Sequence, residues 1–137
     1  MSYSDIEDTR MYKRAEQIAD DVWDIVANFE DRFVKDTIGM QLVRSADSIG
    51  ANIAEGGGRY HAKDVIRFLH FSRGSLRETR YWLKRLVKRE IISQEQSDPV
   101  IDSLRQLNAE INGYIKFQRT RIIKEPEAEY VVGKPSS

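Results

Sequence analysis

Apolar residues recur at intervals of three and four along most of the chain, in four segments, and no stretch sustains the apolar–polar alternation between hairpin turns that strands require. Such a chain buries its apolar atoms by packing helix on helix. The first segment, from about Thr9 to Asn28, sets Met11, Ala15, Ile18, Ala19, Val22, Ile25, Val26 and Phe29 on one side and Glu16, Asp20 and Asp24 on the other. The second begins near Lys35 or Asp36, with Asp36 as its cap, and carries Ile38, Leu42, Ala46, Ile49 and Ile53 inward. It stops at Gly56-Gly57-Gly58, where glycine can take a positive φ without steric cost.

The third segment, about His61 to Glu90, is the longest, and residues placed about 100° apart around its axis separate into two arcs. Val65, Phe68, Leu69, Phe71, Ser72, Ser75, Leu76, Thr79, Trp82, Leu83 and Leu86 fill an apolar arc of roughly 160°, wider than the stripe of an ordinary surface helix. One neighbouring layer does not cover so wide an arc, which predicts a further partner. Lys63, Arg67, His70, Arg73, Arg77, Arg80, Lys84, Arg85 and Lys88 gather on the opposite arc. Gly74, in mid-helix, costs about 1 kcal/mol relative to alanine unless it permits a close helix approach. A turn over Ser93 to Asp98 leads to the fourth helix, which is expected to begin at Asp98-Pro99 with proline in the first helical position and Val100, Leu104, Leu107, Ile111, Tyr114 and Ile115 facing inward. Short connections between these helices predict an all-α, up-down-up-down antiparallel four-helix bundle over residues 1–124. Residues 125–137 hold little that could pack and are expected to form a mobile tail.

With 137 residues the chain fits one domain, large enough to bury roughly two thirds of its unfolded surface without staples. It contains no cysteine, and His61 and His70 are nine apart, so neither a disulfide framework nor a metal site is expected. No apolar run approaches the ~20 residues of a membrane span, and the N-terminus has neither the charge nor the apolar core of a signal peptide. A cytoplasmic location is expected, with no cofactor. Positive and negative side chains cancel, 22 against 22, so any attraction to nucleic acid must come from uneven distribution.

Three stretches carry a likeness to a known family: Arg44-Ser45-Ala46-Asp47-Ser48-Ile49, Ala51-Asn52-Ile53-Ala54-Glu55-Gly56, and Arg67-Phe68-Leu69 continuing to Arg73-Gly74-Ser75-Leu76-Arg77-Glu78-Thr79. Over about residues 11 to 120 the chain resembles the bacterial 23S rRNA-intervening-sequence proteins. The resemblance implies a four-helix bundle that assembles into a ring, commonly a homopentamer, with no established enzymatic activity. A similar fold is used by accessory proteins of diversity-generating retroelements, which look like basic pentamers partnering a reverse transcriptase and nucleic acid. Likeness of fold alone does not transfer that role.

The strongest candidate for function is the basic stripe Lys63, Arg67, Arg73, Arg77, Arg80, Lys84 and Lys88. Cations repeated along one helix side can track phosphates by releasing condensed counterions. The plainer alternative is a solvated face paired with acids of helix one. Tyr60, His70 and Tyr81 lie among these charges and could stack on unpaired bases. Ser48, Asn52, Glu55 and Arg59 step by four, three and four, forming a polar row that is either a solvated edge or, with Arg44 or Arg59 as charge partner, a register-setting network within or between subunits. Trp23, Phe68, Phe71 and Trp82 read as core or subunit-interface anchors. Gly56-Gly57-Gly58-Arg59 does not have the spacing of a phosphate-binding P-loop and follows a helix rather than a strand, so it reads as a turn. No clustered carboxylates or metal ligands suggest a hydrolase or nuclease, and an enzyme is not expected. The expected function is a homo-oligomeric bundle binding structured RNA or DNA, or a nucleic-acid enzyme. The alternative is a protein-interaction scaffold that never touches nucleic acid.

Overall fold

Thr9 ends a short N-terminal 3-10 helix, Tyr3–Asp8, and opens α1, Arg10–Ala27, by accepting a hydrogen bond at Oγ1 from the Tyr12 backbone N–H. That side chain satisfies one of the amides a helix start leaves unpaired. The computed structural model describes residues 3–124, so the tail expected over 125–137 lies outside the described residues.

The second helix, α2, starts earlier than its apolar spacing suggests. It runs as an α-turn Arg32–Val34, a π-helical stretch Lys35–Gly39 and an α-helix Met40–Gly57. Asp31 is the cap, its carboxylate accepting from Val34 N–H at 3.0 Å, while the expected cap Asp36 sits inside the π stretch and pairs with Arg32. Gly39 explains how this segment packs: a Cβ there would stand 2.9 Å from Val26 Cγ1. The α2 stop also differs from expectation, for no described glycine has positive φ, and Gly58 lies at φ −85°. Gly56 is needed for room instead, since a Cβ on it would meet Phe68 Cβ at 3.1 Å.

The third helix, α3, covers Ala62–Lys88 and ends through Glu90, which takes the left-handed φ of 60° that favours glycine. Its amide donates to Val87 C=O and that of Ile91 to Leu86 C=O, the paired bonds of a Schellman end. The fourth helix, α4, is Gln94–Lys124, beginning four residues before the expected Asp98-Pro99 start and leaving Pro99 inside it. Ser93 and Gln96 form a capping box: Gln96 N–H donates to Ser93 Oγ, and Ser93 N–H donates to Gln96 Oε1.

Each helix packs on its neighbours in sequence, and α1 also packs on α4, which gives the four-cornered up-down-up-down bundle. The described residues contain no strand. Ile18, Leu42, Ile49, Leu69, Leu83, Leu107 and Ile111 are fully enclosed, each worth about 1.5–3 kcal/mol of transfer from water. The α2–α3 seam is polar as well as apolar. Thr79 Oγ1 donates to Ser45 Oγ at 3.0 Å, Ser45 Oγ to Leu42 C=O, and Ser72 Oγ to Ile49 C=O at 2.7 Å. Ser72 and Thr79 therefore belong to the inward arc because these bonds satisfy them there. Across the α1–α4 seam, Arg14 and Glu110 form a two-pronged ion pair.

A candidate nucleic-acid interface between α3 and α4

The helix period turns four of the expected cations, Arg73, Arg77, Arg80 and Lys84, toward α4, where they line a groove of about 420 Å³. Leu76, Ile101 and Leu104 form its apolar base. From α4 come Arg105, Asn108 and Asn112, which the reading of the basic stripe did not include. Ile101, Arg105, Asn108 and Asn112 step by four, three and four, so the signal was present as a second helical row; knowing that it faces the α3 stripe requires the packing.

Arg73 to Lys84 spans roughly 16 Å of helix. Arg73 Nη1 donates to Asn112 Oδ1 at 2.9 Å across the groove, and Arg105 Nη1 pairs with Asp102 at 2.8 Å. Arg77, Arg80 and Lys84 are exposed and make no ion pair among the described residues. No carboxylate or imidazole lines the groove. It therefore holds a concentrated positive field with amide donors and acceptors beside it, suited to phosphate oxygens and, through Asn108 and Asn112, to base edges.

The other expected contacts lie elsewhere. Lys63 and Lys88 are exposed outside the groove. Arg67 leans over Phe68 and Phe71, 5.0 and 6.0 Å from the ring centroids, and pairs with Asp64 at 3.5 Å. Arg59 covers Phe68 from 4.7 Å while holding Glu55 at 2.9 Å. Asn52 Nδ2 donates to Ser48 C=O at 2.9 Å, so the polar row of α2 bonds along its own helix. Phe68 and Trp82 are half-buried, Trp82 donating its indole N–H to Glu78 at 3.1 Å. Phe71 and Trp23 are surface residues, 48 % and 60 % exposed, and Tyr60 and Tyr81 are also exposed. No group of three potential metal ligands occurs among the described residues.

A larger hollow, about 600 Å³, lies where the α2–α3 turn meets the end of α4. Its cations are already engaged, Arg59 with Glu55, and Arg121 with Gln118 Oε1 and Tyr60 C=O. The α3–α4 groove is the better anion site for that reason. A third groove, between α1 and α2, has Glu16, Asp20 and Asp47 around a floor of Ala15, Ala19, Gly50 and Ala51. Loss of hydration there, and then Asp20, push the Asp47 carboxyl above its usual range.

A family model described as 23S rRNA-intervening sequence protein matches residues 7–113. A solved structure from Bacteroides thetaiotaomicron VPI-5482, described as a protein with unknown function from the S23 ribosomal protein family, is similar with a TM-score of 0.72 and 25 % identity. The match covers 77 % of this chain and 98 % of that one. No curated protein matches the chain. No helix among the described residues is long and apolar enough to cross a membrane.

Proposed function

The chain belongs to the 23S rRNA-intervening sequence protein family, and we propose that it is a non-enzymatic, self-associating bundle that binds structured RNA or DNA through the groove between α3 and α4. The observation that carries this reading is the placement of Arg73, Arg77, Arg80, Lys84 and Arg105 around one concavity in a chain of zero net charge. Segregating charge in this way lets a neutral protein attract a polyanion locally. A lining whose charged residues are all cations also lacks the carboxylate or imidazole that hydrolysis would use, which favours a binding role.

Self-association is supported by the wide arc of α3, since α2 and α4 leave Phe71 at the surface and Phe68 and Trp82 only half covered. A ring of five, which the family resemblance implies, would present five grooves and raise the overall affinity through avidity. The same groove could dock on a nucleic-acid enzyme already holding its template, in a cytoplasmic setting. The scaffold reading draws on Trp23, Phe33 and Met40, large apolar side chains left exposed that a protein partner could cover. Protein purified in low salt should carry nucleic acid, seen as excess ultraviolet absorbance that nuclease digestion removes. A clean protein spectrum before any nuclease treatment would favour the scaffold.

A further inference from the structure

The two walls of the α3–α4 groove differ in kind. Arg73, Arg77, Arg80 and Lys84 give the α3 wall only cations, whereas α4 supplies the amides of Asn108 and Asn112 beside Arg105. Asn112 Oδ1 accepts from Arg73 Nη1 at 2.9 Å, which leaves Nδ2 as the donor at the other corner of that amide. Asn108 is half-buried in the groove, and its side chain makes no hydrogen bond among the described residues. An asparagine with neither corner engaged adds no bond to the fold and is one of the weaker helix formers, so its place in the middle of α4 fits a contact with a ligand.

The shape of the groove decides what can reach these amides. A duplex shows its base edges only at the bottom of its own grooves, where a convex element such as a helix or a two-stranded ribbon enters to read them. Here the amides lie in a concavity between two packed helices, whose axes stand roughly 8–10 Å apart. Two concave surfaces do not interlock. A duplex laid across the groove therefore meets the exposed cations Arg77, Arg80 and Lys84 and leaves Asn108 untouched. An unpaired strand can enter, because its bases splay from the backbone and expose the edges that pairing would occupy. Leu76, Ile101 and Leu104 offer an apolar floor to the face of a base. No aromatic ring lines the groove among the described residues, so recognition falls to the base edge rather than to stacking on a side chain.

We propose that the groove takes an unpaired segment of a structured RNA or DNA, at a loop, bulge or end, with its phosphates along Arg77, Arg80 and Lys84 and the edge of one base on Asn108. The four-residue steps from Arg73 to Arg77 and from Arg80 to Lys84 each rise about 6 Å, close to the phosphate-to-phosphate step of an extended strand. Asn108 Nδ2 donates to a ring nitrogen or carbonyl of the base, and Oδ1 accepts from its amino or imino group, a two-point contact that phosphate binding does not supply. Asn112 Nδ2 stands one turn along α4 as a donor to the next acceptor. This assignment rests on the nucleic-acid reading above and narrows its ligand.

Anisotropy titrations of three labelled ligands test it: a hairpin with an ordinary loop, the same hairpin with abasic sites throughout the loop, and a fully paired duplex. Wild type should bind the ordinary loop at least about fivefold tighter than the abasic loop, the least that a two-point amide–base contact is worth. Asn108→Ala should bind the two loops nearly alike, keep the wild-type affinity for the duplex, and show an unchanged salt slope because no charge is lost. Alanine is the better helix former at this half-exposed position, and far-ultraviolet circular dichroism checks the fold. Wild type that binds none of the three ligands would overturn the nucleic-acid reading and this assignment with it. Equal wild-type affinity for both loops, a preference that survives Asn108→Ala, or an equal loss on the duplex would overturn this assignment alone.

Discussion

Arg73 of α3 reaches across the basic groove to Asn112 of α4, Nη1 donating to Oδ1 at 2.9 Å. The bond joins the charged wall of the groove to its amide wall, and the two residues should fail differently. Asn112→Ala should weaken nucleic-acid binding a few-fold and leave its salt dependence unchanged, because no charge is lost. Arg73→Ala should lower the log–log salt slope by about one unit. Anisotropy titrations at four or five salt concentrations separate the two effects.

Gly56 holds α2 close to α3, with Phe68 Cβ 3.1 Å from where a Cβ would stand. Gly56→Ala is expected to cost about 1–3 kcal/mol through overpacking, even though alanine is the better helix former. Urea unfolding followed by circular dichroism measures this as a lower midpoint with an unchanged slope.

Glu90 occupies the left-handed position that closes α3, at φ 60°. Glycine adopts this conformation without a Cβ clash, so Glu90→Gly should stabilise the protein by about 0.5–1 kcal/mol. The gain is read as a raised thermal midpoint.

Asp47 gives a pH dependence of definite sign. Withdrawal from water in the α1–α2 groove, and then the Asp20 charge, raise its folded-state pKa above the unfolded value, with Glu16 and the Tyr12 phenol also bordering the groove. Between those two values the folded protein holds more protons, so this group's contribution to stability falls as pH rises through the window and stays unfavourable at neutral pH. Asp47→Asn should make the isolated fold more stable at pH 7 and no more stable at pH 3. Thermal melts under conditions that keep the protein monomeric provide the comparison.

The parts of this fold legible in the sequence are those set by local period. Leu69, Leu76 and Leu83 repeat every seven residues and are all buried, as one face of a helix dictates. Boundaries were less legible because caps compete. Asp31 and Asp36 both precede apolar turns, and only the bond to Val34 N–H distinguishes them. Ser93-Gln94-Glu95-Gln96 carries a capping-box pattern that the nearby Asp98-Pro99 signal obscured. Half of the groove was readable as the α3 stripe, whereas Arg105, Asn108 and Asn112 joined it only when α4 was seen to pack beside that stripe. Arg67 was read with the same stripe of cations, yet at about 100° per residue it stands roughly a quarter-turn around α3 from Arg77 and Lys84, and it lies over Phe68 and Phe71 instead of the groove.

The most direct test of the central claim is a titration of labelled structured RNA and duplex DNA with nucleic-acid-free protein, wild type against Arg77→Glu with Lys84→Glu, followed by anisotropy at several salt concentrations. The account predicts sub-micromolar wild-type binding that weakens steeply with salt, and a loss of at least tenfold in the charge-reversed protein. Equal binding by both proteins, or no wild-type binding near physiological salt, would contradict it.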